Sequence, residues 1–230
     1  NAFAESVQAL LADGKFRKIV MQEGKSVANT TTVSQNQIVA SISRAKPMPD
    51  GKRDLWSNGV VTVFAGSGHG SGFVVADNLI LTNHHVAGNA KNATIKTDSG
   101  IEFVGEVVRS DSFLDIALIK TEVMLPNFFK INRNLPKVGS EVFAIGSPLD
   151  ESLKSTISKG IVSAIRDENG KKLIQSDVNV IPGNSGGPLL NAKGDVIGIT
   201  VSGIRINQAN QGINFFIPIS DALSKLNLVL

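Results

Sequence analysis

From Val60 onward the chain alternates short apolar, β-branched runs with clusters of Gly, Asn and Asp. The runs are VVTVFA (60–65), GFVV (72–75), LILT (79–82), ATIKT (93–97), EFVGEVVR (102–109) and DIALIK (115–120). After the Pro- and Asn-bearing stretch 125–137 come EVFAIG (141–146), GIVSAI (160–165), KLIQ (172–175), PLLN (188–191), DVIGITV (195–201) and INFFIPI (213–219). Short runs of this composition between turn residues are strand signals. Two strand-rich halves joined by a linker predict an all-β fold of two antiparallel barrels. Before them, Phe3, Val7, Leu10 and Leu11 fall at helical spacing ahead of Gly14, predicting a short helix over 2–12. The Ser-, Thr-, Asn- and Gln-rich stretch from Gly24 to Pro49 reads as a polar tether. Ile219 to Leu230 reads as a closing helix with Ser220 as its N-cap. The expected organisation is therefore an extension over 1–54, a first barrel over 55–128, and a second barrel with the closing helix over 129–230.

Composition narrows this picture modestly. Of 230 residues, 42% are hydrophobic and 19% charged, and 22 are Gly, which suits many strands joined by tight turns. The net charge of +3 lies wholly in residues 1–54, where eight basic residues face five acids. Those charges are scattered and lack interleaved aromatics, so nucleic acid is not an expected partner. There is no Cys, which excludes a thiolate nucleophile, a disulfide framework and Cys-based metal sites. No apolar run reaches the length of about 18 residues that a membrane span needs. The start at Asn1 is read as the trace of a removed leader, with a periplasmic or secreted location expected.

Chemistry concentrates in three segments. In Pro182-Gly183-Asn184-Ser185-Gly186-Gly187-Pro188, glycines surround a serine. A serine that attacks a carbonyl needs an exposed turn with free backbone N–H groups nearby to bind the oxyanion. Gly183 to Gly187 also fits the G-x-S-x-G elbow of α/β-hydrolases, but those place the base histidine after the serine. Here His69, His84 and His85 all lie before it. The strand Leu79–Thr82 runs directly into His84-His85, and neighbouring side chains on extended backbone diverge, so one of the two is expected to serve. Asp115 heads an apolar run where a carboxylate needs a bonded partner, and a histidine N–H would supply one. By position alone, Asp77 and Asp111 compete for that role. Without further information a glycine-rich turn, a surface histidine pair and a strand-start cap remain open readings of the three segments.

Together, Thr82-Asn83-His84-His85-Val86, Asp115-Ile116-Ala117-Leu118 and Gly183-Asn184-Ser185-Gly186-Gly187-Pro188 closely resemble the motifs of the chymotrypsin-like serine proteases, particularly their HtrA-type branch. The resemblance extends through Ser158–Ser163 and Gly212–Pro218. It implies two six-stranded Greek-key barrels and a Ser-His-Asp triad of Ser185, His85 and Asp115, with His85 preferred to His84 because the family pattern T-N-x-H-V ends on the base. It further implies an oxyanion hole from the N–H groups of Gly183 and Ser185, and a substrate pocket shaped by Asn179, Val180, Ile181 and the strand Thr200, Val201, Ser202 and Gly203. With Asn179 where trypsin-like enzymes carry a pocket-floor aspartate, small or medium apolar P1 residues are expected. His69 would fall near the leaving-group side or be a plain turn residue. No cofactor or metal is implied, protein or peptide substrates are, and the oligomeric state is left open. Asn184 stands where digestive zymogens carry the aspartate that receives a new N-terminus, and no PDZ domain is expected before Leu230. The alternative is a peptide-binding or chaperone-like module that keeps the fold without turnover.

Overall fold

The computed structural model describes residues 36–66, 68–147, 156–206 and 209–230, with backbone alone for 202–206 and 209–211. The helix expected over 2–12 lies outside the described residues. The chain from Asn36 to Leu230 forms one compact unit. Its first strands are β1 (Ile38–Val39) and β2 (Lys46–Pro47), followed by a 3₁₀ helix over Arg53–Gly59. Then come β3 (Val60–Ala65), β4 (Gly68–Ala76), β5 (Leu79–Thr82), the one-turn helix α1 (His84–Ala87), β6 (Asn92–Thr97), β7 (Glu102–Asp111) and β8 (Ile116–Thr121). These six strands close into an antiparallel barrel of order β3-β4-β5-β8-β7-β6. Because β5 pairs with β8 rather than β6, the connection carrying α1 crosses one end of the barrel, in Greek-key fashion.

A short strand β9 (Asn127–Phe128) interrupts the linker and pairs with β2. The second barrel contains β10 (Glu141–Ile145), β11 (Ile157–Glu168), β12 (Lys171–Ser176), β13 (Pro188–Asn191), β14 (Val196–Ile206) and β15 (Ala209–Pro218). Its order, β10-β11-β12-β15-β14-β13, repeats that of the first. The helix α2 (Ile219–Lys225) and β16 (Leu228–Val229) close the chain, and β16 pairs in parallel with β1. Helix α2 starts one residue before the expected Ser220, and its N-cap Pro218 offers no side-chain bond. The Ser220 hydroxyl instead donates to Asp221 at 2.9 Å.

Strand alternation explains the unbroken apolar runs. In β5, Ile80 points into the first barrel with Val61, Val63, Val74, Ile95 and Ile119. Its neighbours Leu79 and Leu81 point the other way, into a cluster shared with Trp56, Phe73, Phe143, Ile145 and Ile199. A strand apolar on both faces is therefore one that has a barrel interior on one side and the second barrel on the other. The second barrel has its own filling, including Val142, Val162, Ile174, Leu189 and Phe216. The three motif segments meet at the junction of the two barrels.

Candidate active site

Strand β5 delivers the histidine pair to that junction. The two histidines lie on the helical turn α1 rather than on extended backbone, and they diverge because successive helical positions are turned by about 100°. His84 Nδ1 lies 2.6 Å from Ser110 Oγ. His85 takes Asp115: its Nδ1 lies 2.7 Å from Asp115 Oδ2, and its backbone N–H donates to Asp115 Oδ1 at 2.8 Å. One carboxylate thus fixes both the ring and the main chain of His85. With Nδ1 used this way, Nε2 is the ring nitrogen left for chemistry.

Asp115 is held in an uncommon conformation, φ +60°, immediately before β8. For a residue with a Cβ this left-handed backbone is strained and persists only when the surroundings enforce it. Asn83 does part of this, its side-chain amide donating to the Asp115 carbonyl at 2.8 Å. The competing aspartates are engaged elsewhere. Asp77 is buried and accepts from Ser43, Arg44 and Ala45. Asp111 accepts from the Leu114 N–H at 2.7 Å and faces Lys225 at 3.3 Å.

Ser185 follows a type II turn. Pro182 fixes the first central position, Gly183 at φ +98° takes the second, and the Asn184 N–H closes the turn on the Ile181 carbonyl at 3.0 Å. Gly186, at φ +84°, has no room for a Cβ, which would strike the Ser71 carbonyl and Thr82 Oγ1. Among the described residues no acceptor takes the N–H of Gly183 or of Ser185. Their carbonyls are both bonded to Ser71, Gly183 O to its hydroxyl at 2.6 Å and Ser185 O to its N–H at 2.7 Å. The Ser185 hydroxyl donates to Val201 O at 3.0 Å, and among the described residues none of its bonds reaches His85.

The residues expected around the substrate divide into groups. Val180 is buried inside the second barrel, so its side chain packs with Leu189 and Ile197 instead of facing a cleft. Thr200 is buried, and its N–H and C=O bond Gly187 O and Gly186 N, each at 2.9 Å. Asn179 is exposed and Ile181 half-buried. Ser202 and Gly203 lie on β14 opposite Phe215 and Asn214. Val201, with Phe113, Leu114, Asp115, Leu173 and Ile217, lines a cleft of about 430 Å³ next to the His85–Asp115 pair. His69 is part of β4, with its ring 6.4 Å from that of Phe64. Sequence reading missed Ser71 and Asn83. Asn83 was visible only as part of the Thr82–Val86 motif, and Ser71 only as a serine between two glycines.

The model of the trypsin-like peptidase domain matches residues 70–199. A protein of Hahella chejuensis named "Probable periplasmic serine endoprotease DegP-like" is 39% identical over 69% of this chain and 34% of its own. A Pseudomonas fluorescens protein of the same name is 32% identical over 92% of this chain and 48% of its own. The chain thus spans about a third to a half of the length of these curated relatives. Among solved structures, the HtrA-type protease AlgW with tripeptide gives a TM-score of 0.69 at 30% identity, covering 76% of this chain and 62% of that one. A serine endoprotease from Yersinia pestis gives 0.66 at 31% identity, covering 76% and 66%. With the family model spanning over half of the chain and enclosing His85, Asp115 and Ser185, the chain belongs to the trypsin-like peptidase family, among its HtrA-type members.

Proposed function

We propose that this chain is a serine endopeptidase with Ser185 as nucleophile, His85 as general base and Asp115 as the group that orients His85. The observation that carries the reading is the double hold of Asp115 on His85, beside a turn whose Gly183 and Ser185 N–H groups have no acceptor among the described residues. In the productive state the Ser185 hydroxyl rotates from Val201 O to His85 Nε2. His85 takes the proton as Oγ attacks the peptide carbonyl, and the Gly183 and Ser185 N–H groups bind the oxyanion. The tetrahedral intermediate collapses as His85 gives that proton to the leaving amine, which departs and leaves an acyl-enzyme. Water then attacks the ester, again through His85, and the acid product departs with Ser185 restored.

The same reading covers the substrate side. A peptide adds along the Val201–Gly203 part of the expected strand by backbone pairing, the Thr200 backbone being taken by Gly186 and Gly187, with Asn179 and Ile181 bordering a pocket for small or medium apolar P1 side chains. The cleft lined by Phe113, Leu114 and Leu173 takes a side chain on the acyl side of the scissile bond. The relatives' names, as periplasmic endoproteases, support a periplasmic location. A boundary near residue 129 is supported by one closed barrel on either side of it, whereas residues 36–54, expected as part of an extension, belong to the same compact unit as both barrels.

The test is labelling by a fluorophosphonate together with hydrolysis of an unfolded protein. The parent is expected to label and cleave, and Ser185→Ala to do neither. A parent that binds unfolded peptide without labelling or turnover overturns the endopeptidase reading in favour of a binding module.

A further inference from the structure

We propose that Ser71, on β4 of the first barrel, is the positioning residue that holds the oxyanion-binding turn of the second barrel in its working shape; the inference rests on the endopeptidase reading above. Ser71 is fully buried and all of its polar atoms are used. Its N–H donates to Ser185 O at 2.7 Å and its hydroxyl donates to Gly183 O at 2.6 Å. The hydroxyl oxygen accepts the Ser147 N–H at 2.8 Å, and its carbonyl accepts the Thr82 hydroxyl at 2.7 Å. The direction of each bond is settled by chemistry. A carbonyl can only accept and a backbone N–H can only donate, so the single hydroxyl proton of Ser71 must go to Gly183 O.

This bond falls where the turn is weakest. In the Ile181–Asn184 turn the ring of Pro182 fixes its own φ, whereas Gly183 has both dihedrals free. Re-aiming the plane of a peptide bond at Gly183 changes where the neighbouring N–H points, since each peptide moves as a rigid unit. Ser71 pins the carbonyl of Gly183 and, one residue past Asn184, the carbonyl of Ser185. Each plane joins the C=O of one residue to the N–H of the next. The planes Ser71 holds, 183–184 and 185–186, therefore lie on both sides of the 184–185 plane that carries the Ser185 N–H, and the first directly follows the 182–183 plane that carries the Gly183 N–H. Close approach makes this possible, because a Cβ at Gly70 would come within 2.9 Å of Ser185 O. A fixed donor array is what makes an oxyanion site effective, as the donors then need no reorganisation when charge develops.

The test uses the full chain with Ser71→Ala and, as a control at the same barrel junction, Thr62→Val. Thr62 bonds Ser147 through its hydroxyl and touches neither Gly183 nor Ser185. For Ser71→Ala, kcat on an unfolded protein substrate is expected to fall about 10- to 100-fold, the scale of a small misplacement at a reacting centre, with KM within about threefold. Affinity for a peptide aldehyde, which binds as a tetrahedral oxyanion, is expected to fall in parallel, and affinity for a cleaved product peptide to stay unchanged. Thr62→Val is expected to lower the melting temperature and leave kcat at the parent value. Ser71→Ala with kcat and aldehyde affinity within twofold of the parent overturns the inference alone. So does a loss of kcat no larger than Thr62→Val shows at equal melting loss. A parent that neither labels with fluorophosphonate nor cleaves overturns the endopeptidase reading and this inference with it.

Discussion

Adjacent and chemically identical, His84 and His85 differ only in their partners. His84 meets a serine hydroxyl at 2.6 Å, whereas His85 meets a carboxylate through both its ring and its backbone. A neutral hydroxyl does little to stabilise an imidazolium, and a carboxylate does much. His85→Ala is therefore expected to lower kcat by about 10⁴ or more, and Asp115→Asn by about 10⁴, since an amide can leave the ring in the wrong tautomer. His84→Ala is expected to cost less than tenfold. Steady-state hydrolysis of one peptide by the three variants checks this, and equal losses from His84→Ala and His85→Ala would remove the assignment. Glycines, a strand end and a strand head are local features, and they made Ser185, the pair His84-His85 and Asp115 legible as candidates, while family resemblance alone chose His85 over His84. Ser71 was not legible in the same way, since its partners at 147, 183 and 185 are brought to it by barrel docking and its own segment reads as a spacer.

At the scale of elements, each of the twelve apolar runs read from the sequence falls within or largely over a barrel strand. Hydrophobic period and turn residues suffice to place a strand, but not to choose its neighbours. That β5 pairs with β8, or that β1 docks beside β16, depends on pairings across dozens of residues. The turn from β4 to β5 shows such a long-range element. Asp77 there is nearly free of solvent, and its carboxylate accepts from the N–H groups of Ser43, Arg44 and Ala45 and from the Ser43 hydroxyl. Burial alone would raise its pKa, but these bonds outweigh that and hold it down from 3.8 to about 2. A carboxyl depressed by folding contributes stability in full above its unfolded value, and that contribution is lost as pH falls from about 4 towards 2. Asp77→Asn places amide hydrogens against backbone N–H donors and is expected to melt below the parent at pH 7. The gap between the two melting temperatures is expected to narrow as pH drops from 4 to 2.5. A gap that stays constant over that range would show that the Asp77 charge is not what holds residues 43–45.

The whole molecule depends on a cluster that neither barrel owns. Trp56, Phe73, Phe129 and Phe143 are fully or almost fully buried, and they bring together the 3₁₀ helix, both barrels and the linker. Trp56 meets Phe143 edge-on at 5.5 Å, and Phe73 meets Phe129 in the same way at 6.4 Å. Since the site has His85 and Asp115 on one barrel and Ser185 on the other, this packing sets the distance over which the chemistry must work. The segment 36–54 belongs to the same assembly. Met48 is buried in the shared cluster, Lys46 and Met48 bond Pro126 and Phe128, and Arg109 bonds the carbonyls of Asn36 and Leu226, tying the start of the segment to the end of the chain. A chain beginning at Leu55 loses the contacts of Asn36, Lys46 and Met48 and leaves the buried Asp77 carboxylate without Ser43, Arg44 and Ala45. Compared with a chain beginning at Asn36, it is expected to melt lower by more than about 5 °C, given that each kcal/mol shifts a domain of this size by about 2–4 °C. Its activity at a temperature where both are folded is expected to drop through kcat, since His85 and Ser185 are positioned by different barrels. Equal melting temperatures for the two chains, measured by circular dichroism, would show that 36–54 only rests on the barrels. Lower stability with unchanged kcat would show that the barrel junction sets the site without help from that segment.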